Sequence, residues 1–441
     1  MAAAAAGGRG LILSESKVGR LFSLFLFYFG QGLPLGVSTI GLPAWMAANG
    51  ASEASVALVA GTAYLPWSFK FIPAFAMDRY AYLPMGRRRA WLIGAQGLML
   101  AAFLTAALAS PDVGDTQLLV AITFLIGAGS AIQDVAVDGL AVDILPEREQ
   151  GTASSFMFGG QTVGRATAGA LSGTLFYLAG PQIAFLAFLP VIALITCYAI
   201  WIRERPGEKR FPWSEGRTAP ENLERHVGDW LKILVIAVKS MVKRDSLVLM
   251  GSAVPQRAAE GILLPLFPIL ATGALAWNEA QYSQTISTAD FVMALTAIAI
   301  GSYLSLRFGS KRAAMIVFLI EAAMCAFIWL GREYWTQTAI FIGLLCLQSI
   351  LATLSSITTN PLRMQLSDPR VAAAQFTLYN SLSNFPVSFG ASTLFVVLGG
   401  TGNLALTMGV AIGLLLLATL VMAFQRVGQR PAPAEPVPVV N

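Results

Sequence analysis

The chain is a succession of apolar runs, each close to the length that crosses a lipid bilayer. A hydrocarbon core about 30 Å thick needs about 20 apolar residues per helix at 1.5 Å rise per residue. Twelve runs answer to that length: 20–46, 53–77, 90–110, 117–145, 152–179, 182–203, 246–272, 280–306, 313–331, 335–362, 371–398 and 403–426. A water-soluble fold is excluded by charge: 12% of the 441 residues are charged and 56% are apolar, against about 25% and about 45–50% in soluble domains. Lipid offers no partner to a free peptide group, so runs of this kind become helices. The sequence therefore predicts an all-α integral membrane protein with twelve transmembrane helices. Gly30, Gly32 and Pro34 interrupt the first run, whose length predicts one kinked helix. The opening Met-Ala-Ala-Ala-Ala-Ala-Gly-Gly lacks the charged segment of a cleavable signal, so the first helix is expected to direct insertion and stay.

Positive residues stay on the cytoplasmic side of a membrane. Twenty-five of the 29 Lys and Arg fall on one set of loops, Arg332 alone falls on the other, and Lys70, Arg165 and Arg257 lie inside runs. Both termini are therefore expected to be cytoplasmic. The one long hydrophilic stretch, 204–245, divides the helices six and six. The expected domains are a bundle over 1–203, a linker over 204–245, a second bundle over 246–430 and a Pro-rich disordered tail over 431–441. Within the linker, Leu231, Ile233, Leu234, Ile236, Ala237 and Met241 alternate with lysines, which reads as an amphipathic helix on the membrane face. The halves repeat. Gly86-Arg87-Arg88-Arg89-Ala90 is echoed by Gly309-Ser310-Lys311-Arg312-Ala313, and Leu145-Pro146-Glu147 by Leu366-Ser367-Asp368. Two six-helix repeats in parallel orientation describe the major facilitator architecture.

Ionisable residues at bilayer depth cost about 2.5–3.5 kcal/mol each even on lenient scales, so they face a protein interior or a wet cavity. Asp134 and Asp138, four apart, share one face of the fourth helix. From the helix ends they lie about 18 and about 12 Å deep, Arg165 of the fifth helix about 21 Å, Arg257 and Glu260 of the seventh about 16 and about 21 Å. Matching depth makes an Asp134–Arg165 pair feasible, and Arg257 and Glu260 share a face. One reading is a central cavity that takes a proton and an anionic solute; the other is a set of permanent pairs that hold helices in register. Asp138 has no cationic residue nearby in sequence, and desolvation favours the neutral acid, which makes it the candidate proton carrier. Gln31 and Gln348 add neutral polar groups to the same pathway. Asp143, one turn from the cytoplasmic end, is level with Asp78, Arg79, Arg87 and Arg88, a candidate gate. Lys70 is expected to snorkel, and the roles of Asp290 and Glu321 stay open.

Other chemistries find little support. The single histidine, His226, excludes a multi-histidine metal site, and Cys197, Cys325 and Cys346 form no CxxC pair and read as buried thiols. There is no phosphate-binding lysine motif for ATP, and the glycines at 127, 129, 159, 160, 164 and 169 suit helix packing. No cofactor, metal or nucleic-acid partner is expected. A polytopic membrane enzyme would need a histidine or paired catalytic aspartates near the membrane groups, and a sensor would need a soluble output domain; neither is expected.

Several segments resemble the AmpG-type muropeptide permeases and the acetyl-CoA transporter family of the major facilitator superfamily. They are Gly32-Leu33-Pro34-Leu35, Phe69-Lys70-Phe71-Ile72-Pro73, Met77-Asp78-Arg79-Tyr80 with Gly86-Arg87-Arg88-Arg89, and Gln133-Asp134-Val135-Ala136-Val137-Asp138-Gly139. Gly151-Thr152-Ala153-Ser154-Ser155 and Gly160-Gln161-Thr162-Val163-Gly164 join them and look closer to the acetyl-CoA branch. The resemblance is strongest over 28–170. In the seventh helix the family's basic-x-x-Asp pattern reads Arg257-Ala258-Ala259-Glu260. The resemblance implies a monomeric, proton-linked importer of an anionic solute of muropeptide type in a bacterial inner membrane. Siderophores and acyl-CoA are the alternative cargoes.

Overall fold

The computed structural model describes residues 11–224, 230–367 and 372–426. The predicted tail at 431–441 and His226 lie outside them. Every predicted run is helical. In chain order these are α1 (Lys17–Ala48), α2 (Glu53–Thr62, Leu65–Ser68 and Phe71–Arg79 in succession), α3 (Arg89–Ala109) and α4 (Thr116–Ile144). Then come α5, which starts at Glu147 and ends at a break at Gly180 (φ 75°), and α6, which follows from Pro181 and ends at Trp201. The second half holds α7 (Arg244–Ala274), α8 (Glu279–Phe308), α9 (Ser310–Leu330), α10 (Thr338–Leu366), α11 (Ala372–Phe389, continued to Val397) and α12 (Leu404–Ala423). As predicted, α1 is one helix; it widens to a π-type turn over Val37–Gly41.

Among the described residues, seven helical stretches are long and apolar enough to cross a membrane by length and composition. They account for α1, α3, α4, α5 with α6, α9, α10 and α12. The remaining crossings are the ones interrupted by polar or helix-breaking residues: Lys70 in α2, Arg257 and Glu260 in α7, Asp290 in α8 and Pro386 in α11. Cys325 is buried, whereas Cys197 is exposed and Cys346 half-buried, so the reading of three buried thiols holds for one. An apolar thiol facing lipid is satisfied without burial in protein.

With lipid as apolar as leucine, helices associate through close packing, and small residues let backbones touch. A Cβ on Gly32 would lie 2.4 Å from the Gln161 carbonyl oxygen, and one on Gly164 2.2 Å from that of Phe29, so α1 and α5 meet backbone to backbone. In the second half the equivalent seam joins α7 to α11 through Gly261 and Gly390. The internal repeat has a structural reason as well. Gly86 and Gly309 both hold positive φ, 100° and 78°, at the entry to α3 and α9, a conformation that disfavours any side chain.

One face of the bundle carries the termini of α1 and α12 and the linker. There Leu13 N–H donates to Arg203 O and Arg203 N–H to Leu11 O, each at 2.9 Å. Glu204 accepts the first N–H groups of α3, from Arg87 (2.9 Å), Arg88 (2.8 Å) and Arg89 (2.7 Å), as an anion at a helix N-terminus should. Glu208 in turn accepts from the N–H groups of Glu204 and Arg205 and from Asn222. Burial and the adjacent Glu204 carboxylate push the Glu208 carboxyl up to about 7. The predicted amphipathic helix is present at Trp230–Met241, but it is not simply laid on the membrane: Ala237 is buried against Leu378 of α11, with Phe71 of α2 beside them.

At the opposite face the two halves are in contact. Asn49 donates to Glu279 (3.2 Å), Thr401 N–H to Glu53 (2.8 Å) and Gln284 to Thr174 (3.0 Å). Gly173 of α5 abuts Ser283 of α8, and Gly61 of α2 abuts the backbone of Ser388 and Ser392 in α11. The halves are therefore closed at that end, while toward the linker they meet where Phe71 of α2 packs beside Leu378 of α11.

Candidate functional site

A cavity of about 1200 Å³ lies between the halves. It extends from Thr39 and Tyr282 to residues near the linker-face ends of α5, α10 and α11, among them Ser155, Arg363 and Phe376. Asp134, Asp138, Arg165, Arg257, Glu260 and Gln348 all line it. Gln31 does not reach the cavity. It is fully buried behind Asp134 and donates to it at 2.7 Å, so it orients the carboxylate. Gln348 faces the cavity with its side-chain oxygen unpartnered.

The pairings differ from those predicted. Asp134 does not pair with Arg165; its other oxygen takes Lys70 Nζ at 2.9 Å. Lys70 is 8% exposed and does not snorkel. It lies between the second and third pieces of α2, over the Trp67 ring, where the broken helix turns its amine inward. Arg165 instead reaches across to Asp290 of α8 at 3.1 Å, and Ser349 of α10 donates to the same carboxylate at 2.6 Å. Position along a helix does not say which helix is the neighbour. Arg257 and Glu260 do pair, at 2.5 Å, and Arg257 also donates to Ser383 O and Asn384 Oδ1. Asp138 has a partner after all, the hydroxyl of Tyr28 in α1, which donates to it.

The predicted gate separates into two parts. Asp143 meets Arg87 at 3.1 Å and Arg88 at 3.3 Å, all three buried, while Arg205 donates to the Asp143 carbonyl. Arg79 is exposed and stands apart from them, and the Asp78 side chain lies outside the described part of the structure. Sequence reasoning missed Arg363, counted with the loop arginines. It is 8% exposed in α10, lines the cavity and donates to Asn360 (3.1 Å) and Asn380 (2.7 Å). The signal was available: Asn360 and Arg363 are three apart and so share a helical face. Glu321 is buried in α9, away from the cavity lining, with one oxygen unpartnered.

The family model of the Major Facilitator Superfamily matches residues 21–254, more than half of the chain. The chain belongs to the Major Facilitator Superfamily. A crystal structure of the nucleoside transporter NupG superposes with a TM-score of 0.68 over 92% of this chain and 99% of that one at 13% identity, a likeness of fold alone. The anhydromuropeptide permease of Escherichia coli K12 is 25% identical over 372 residues, 82% of this chain and 70% of its own length. A Rickettsia conorii protein that carries the name transporter AmpG 4 is 22% identical over 404 residues, 89% of this chain and 94% of its own. The protein is thus a multi-pass secondary transporter of this superfamily, distantly related to the AmpG permeases. The superfamily consists of transporters, which sets the membrane-enzyme reading aside.

Proposed function

We propose that the protein imports an anionic solute of muropeptide type together with a proton, by alternating access. The halves at 1–203 and 246–430 rock about the cavity, and the 204–245 linker spans them. The bias of Lys and Arg to the linker face supports a cytoplasmic position for that face and both termini in a bacterial inner membrane. With the opposite face closed, the structure then corresponds to the inward-open state. The name of the Escherichia coli relative supports the muropeptide as cargo.

The observation that carries the coupling is the charge balance of the cavity lining. Among the described residues, Lys70, Arg165, Arg257 and Arg363 face Asp134, Asp138, Glu260 and Asp290, four cations to four carboxylates. Lys70, Arg165 and Arg257 each hold a carboxylate, whereas Asp138 is held by the neutral Tyr28 hydroxyl. Protonating Asp138 therefore leaves one uncompensated positive charge, which a bound anion restores. Net charge in a low-dielectric cavity is costly, so proton and anion each favour the other, which is what reciprocal coupling between two ligands requires. The buried Asp143–Arg87–Arg88 cluster serves as the inner latch of the N-terminal half.

The test is uptake of labelled anhydro-muropeptide into proteoliposomes with and without an inward proton gradient, wild type beside Asp138→Asn. Gradient-driven uptake by the wild type, lost in the variant, is expected. Gradient-independent uptake refutes the coupling, and no uptake refutes the muropeptide assignment and moves siderophores and acyl-CoA forward.

A further inference from the structure

We infer that Arg363, held by Asn360 and Asn380, is the point at which the acidic group of the transported solute docks. The inference rests on the reading of an anionic cargo and assigns that anion a place. Among the cavity cations Arg363 is distinctive in its partners. Lys70, Arg165 and Arg257 each sit against a carboxylate, whereas both acceptors of Arg363 are neutral amide oxygens. Both take the same nitrogen, Nη1. The Nε–Nη2 edge makes no hydrogen bond in the described structure, and Nε is buried without a partner. A guanidinium presents that edge as a planar fork matched to two oxygens of a carboxylate or phosphate.

Burial makes the vacancy costly, because a desolvated cation with no carboxylate in contact is among the most unfavourable groups in a protein. Arg257 and, from the other half, Lys70 stand close enough to add repulsion; Glu260 is near enough to attract but is itself held by Arg257. The pair of asparagines cannot neutralise the charge; they fix its direction. A site that holds a cation rigidly, half-satisfied and facing a cavity is complete when an anion enters. Because Lys70 belongs to the N-terminal half and Arg363 to the C-terminal half, the same anion offsets the repulsion between them across the cavity. Solute binding thereby favours closure of the cavity.

The experiment is calorimetric binding to the full chain in nanodiscs, for wild type, Arg363→Gln and Arg363→Lys. The probes are a 1,6-anhydro-muramyl tripeptide, its fully amidated form and acetyl-CoA. Arg363→Gln is expected to weaken the acidic probe by at least about tenfold, the low end for loss of a charge-assisted hydrogen bond. Amidation should cost the wild type a similar factor and the variant little. Arg363→Lys should recover part of the affinity, since it keeps charge but not the fork. The thermal midpoint of Arg363→Gln should stay level or rise, which a structural arginine would not allow. Equal binding of the tripeptide by wild type and Arg363→Gln overturns the docking role and leaves the muropeptide reading standing. Arg363-dependent binding of acetyl-CoA alone keeps the anion site, makes it a phosphate site and removes the muropeptide reading. Binding of neither probe by the wild type overturns both.

Discussion

Gly61→Ala adds one methyl group where the two halves meet beyond the cavity. Its Cβ would lie 2.8 Å from the Ser388 carbonyl oxygen and 2.9 Å from the Ser392 nitrogen, both backbone atoms of α11 that no rotamer change can move. Ordinary carbon contacts begin near 3.4 Å, so the helices must separate by about 0.5 Å, and overpacking of that kind costs about 1–3 kcal/mol. The cost falls on the state closed at this face and vanishes once the halves part there. The gain in helix propensity from Gly to Ala is common to both states and cancels. At 1.4 kcal/mol per decade, the equilibrium shifts about 5- to 150-fold toward opening at the face away from the linker. The assay is maleimide labelling in a background with Cys197, Cys325 and Cys346 replaced. Ser283→Cys reports opening at the far face, since Ser283 is fully buried against Gly173. Ser356→Cys reports the linker-side cavity that it lines. Ser283→Cys should label at least about fivefold faster once Gly61→Ala is added. A folded Gly61→Ala protein with both labelling rates unchanged would refute the argument that this seam closes the transporter.

Lys70→Met strands the Asp134 carboxylate, whose pair is about nine-tenths buried, and should destabilise by about 3–5 kcal/mol; Lys70→Met with Asp134→Asn should recover most of it. Chemical unfolding in detergent measures both, and an undisturbed single variant would refute a buried pair. Glu208 gives a pH dependence. Its carboxyl is raised from 4.5 to about 7 in the fold, so the folded state binds the proton more tightly. That contribution is fully present below about 4.5 and is lost as pH rises through about 7, at most about 3 kcal/mol in all. Wild-type thermal midpoints should decline over that window more steeply than those of Glu208→Gln, in which Glu204 remains raised, and parallel profiles would count against the assignment.

Helix number and the polar residues of the cavity were legible in the sequence because lipid imposes a simple rule on each crossing: apolar residues outside, polar residues inward. Rise per residue then placed Asp134, Arg165, Arg257 and Glu260 near the midplane, with Asp138 about one turn nearer the helix end. Partners were not legible, because a pairing depends on rotation and on which helices adjoin. Asp134 reaches α2 through a helix break that brings Lys70 inward, and Arg165 reaches α8 of the other half. Arg363 was lost for a related reason. Near a helix end, burial depends on the packing of α10 and α11 around Asn360 and Asn380, which a count of positive residues by loop does not register.

The distribution of ion pairs says how such a molecule can move without coming apart. Arg20 with Glu149, Lys70 with Asp134, and Asp143 with Arg87 and Arg88 close within the first half, all of them buried; Arg257 with Glu260 closes within the second. Arg165 with Asp290 joins the two, with side chains 36% and 15% exposed, and so is the least enclosed of these pairs. Buried pairs are strongly destabilising to break, and the cost falls as water reaches the charges. The most enclosed pairs thus move with rigid bodies whose helices already meet backbone to backbone at Gly32, Gly164, Gly261 and Gly390. The least enclosed pair lies between the halves, on the surface along which they must slide. Rocking then breaks Arg165–Asp290 at the rim of the cavity, at less cost than any of the buried pairs within a half would exact.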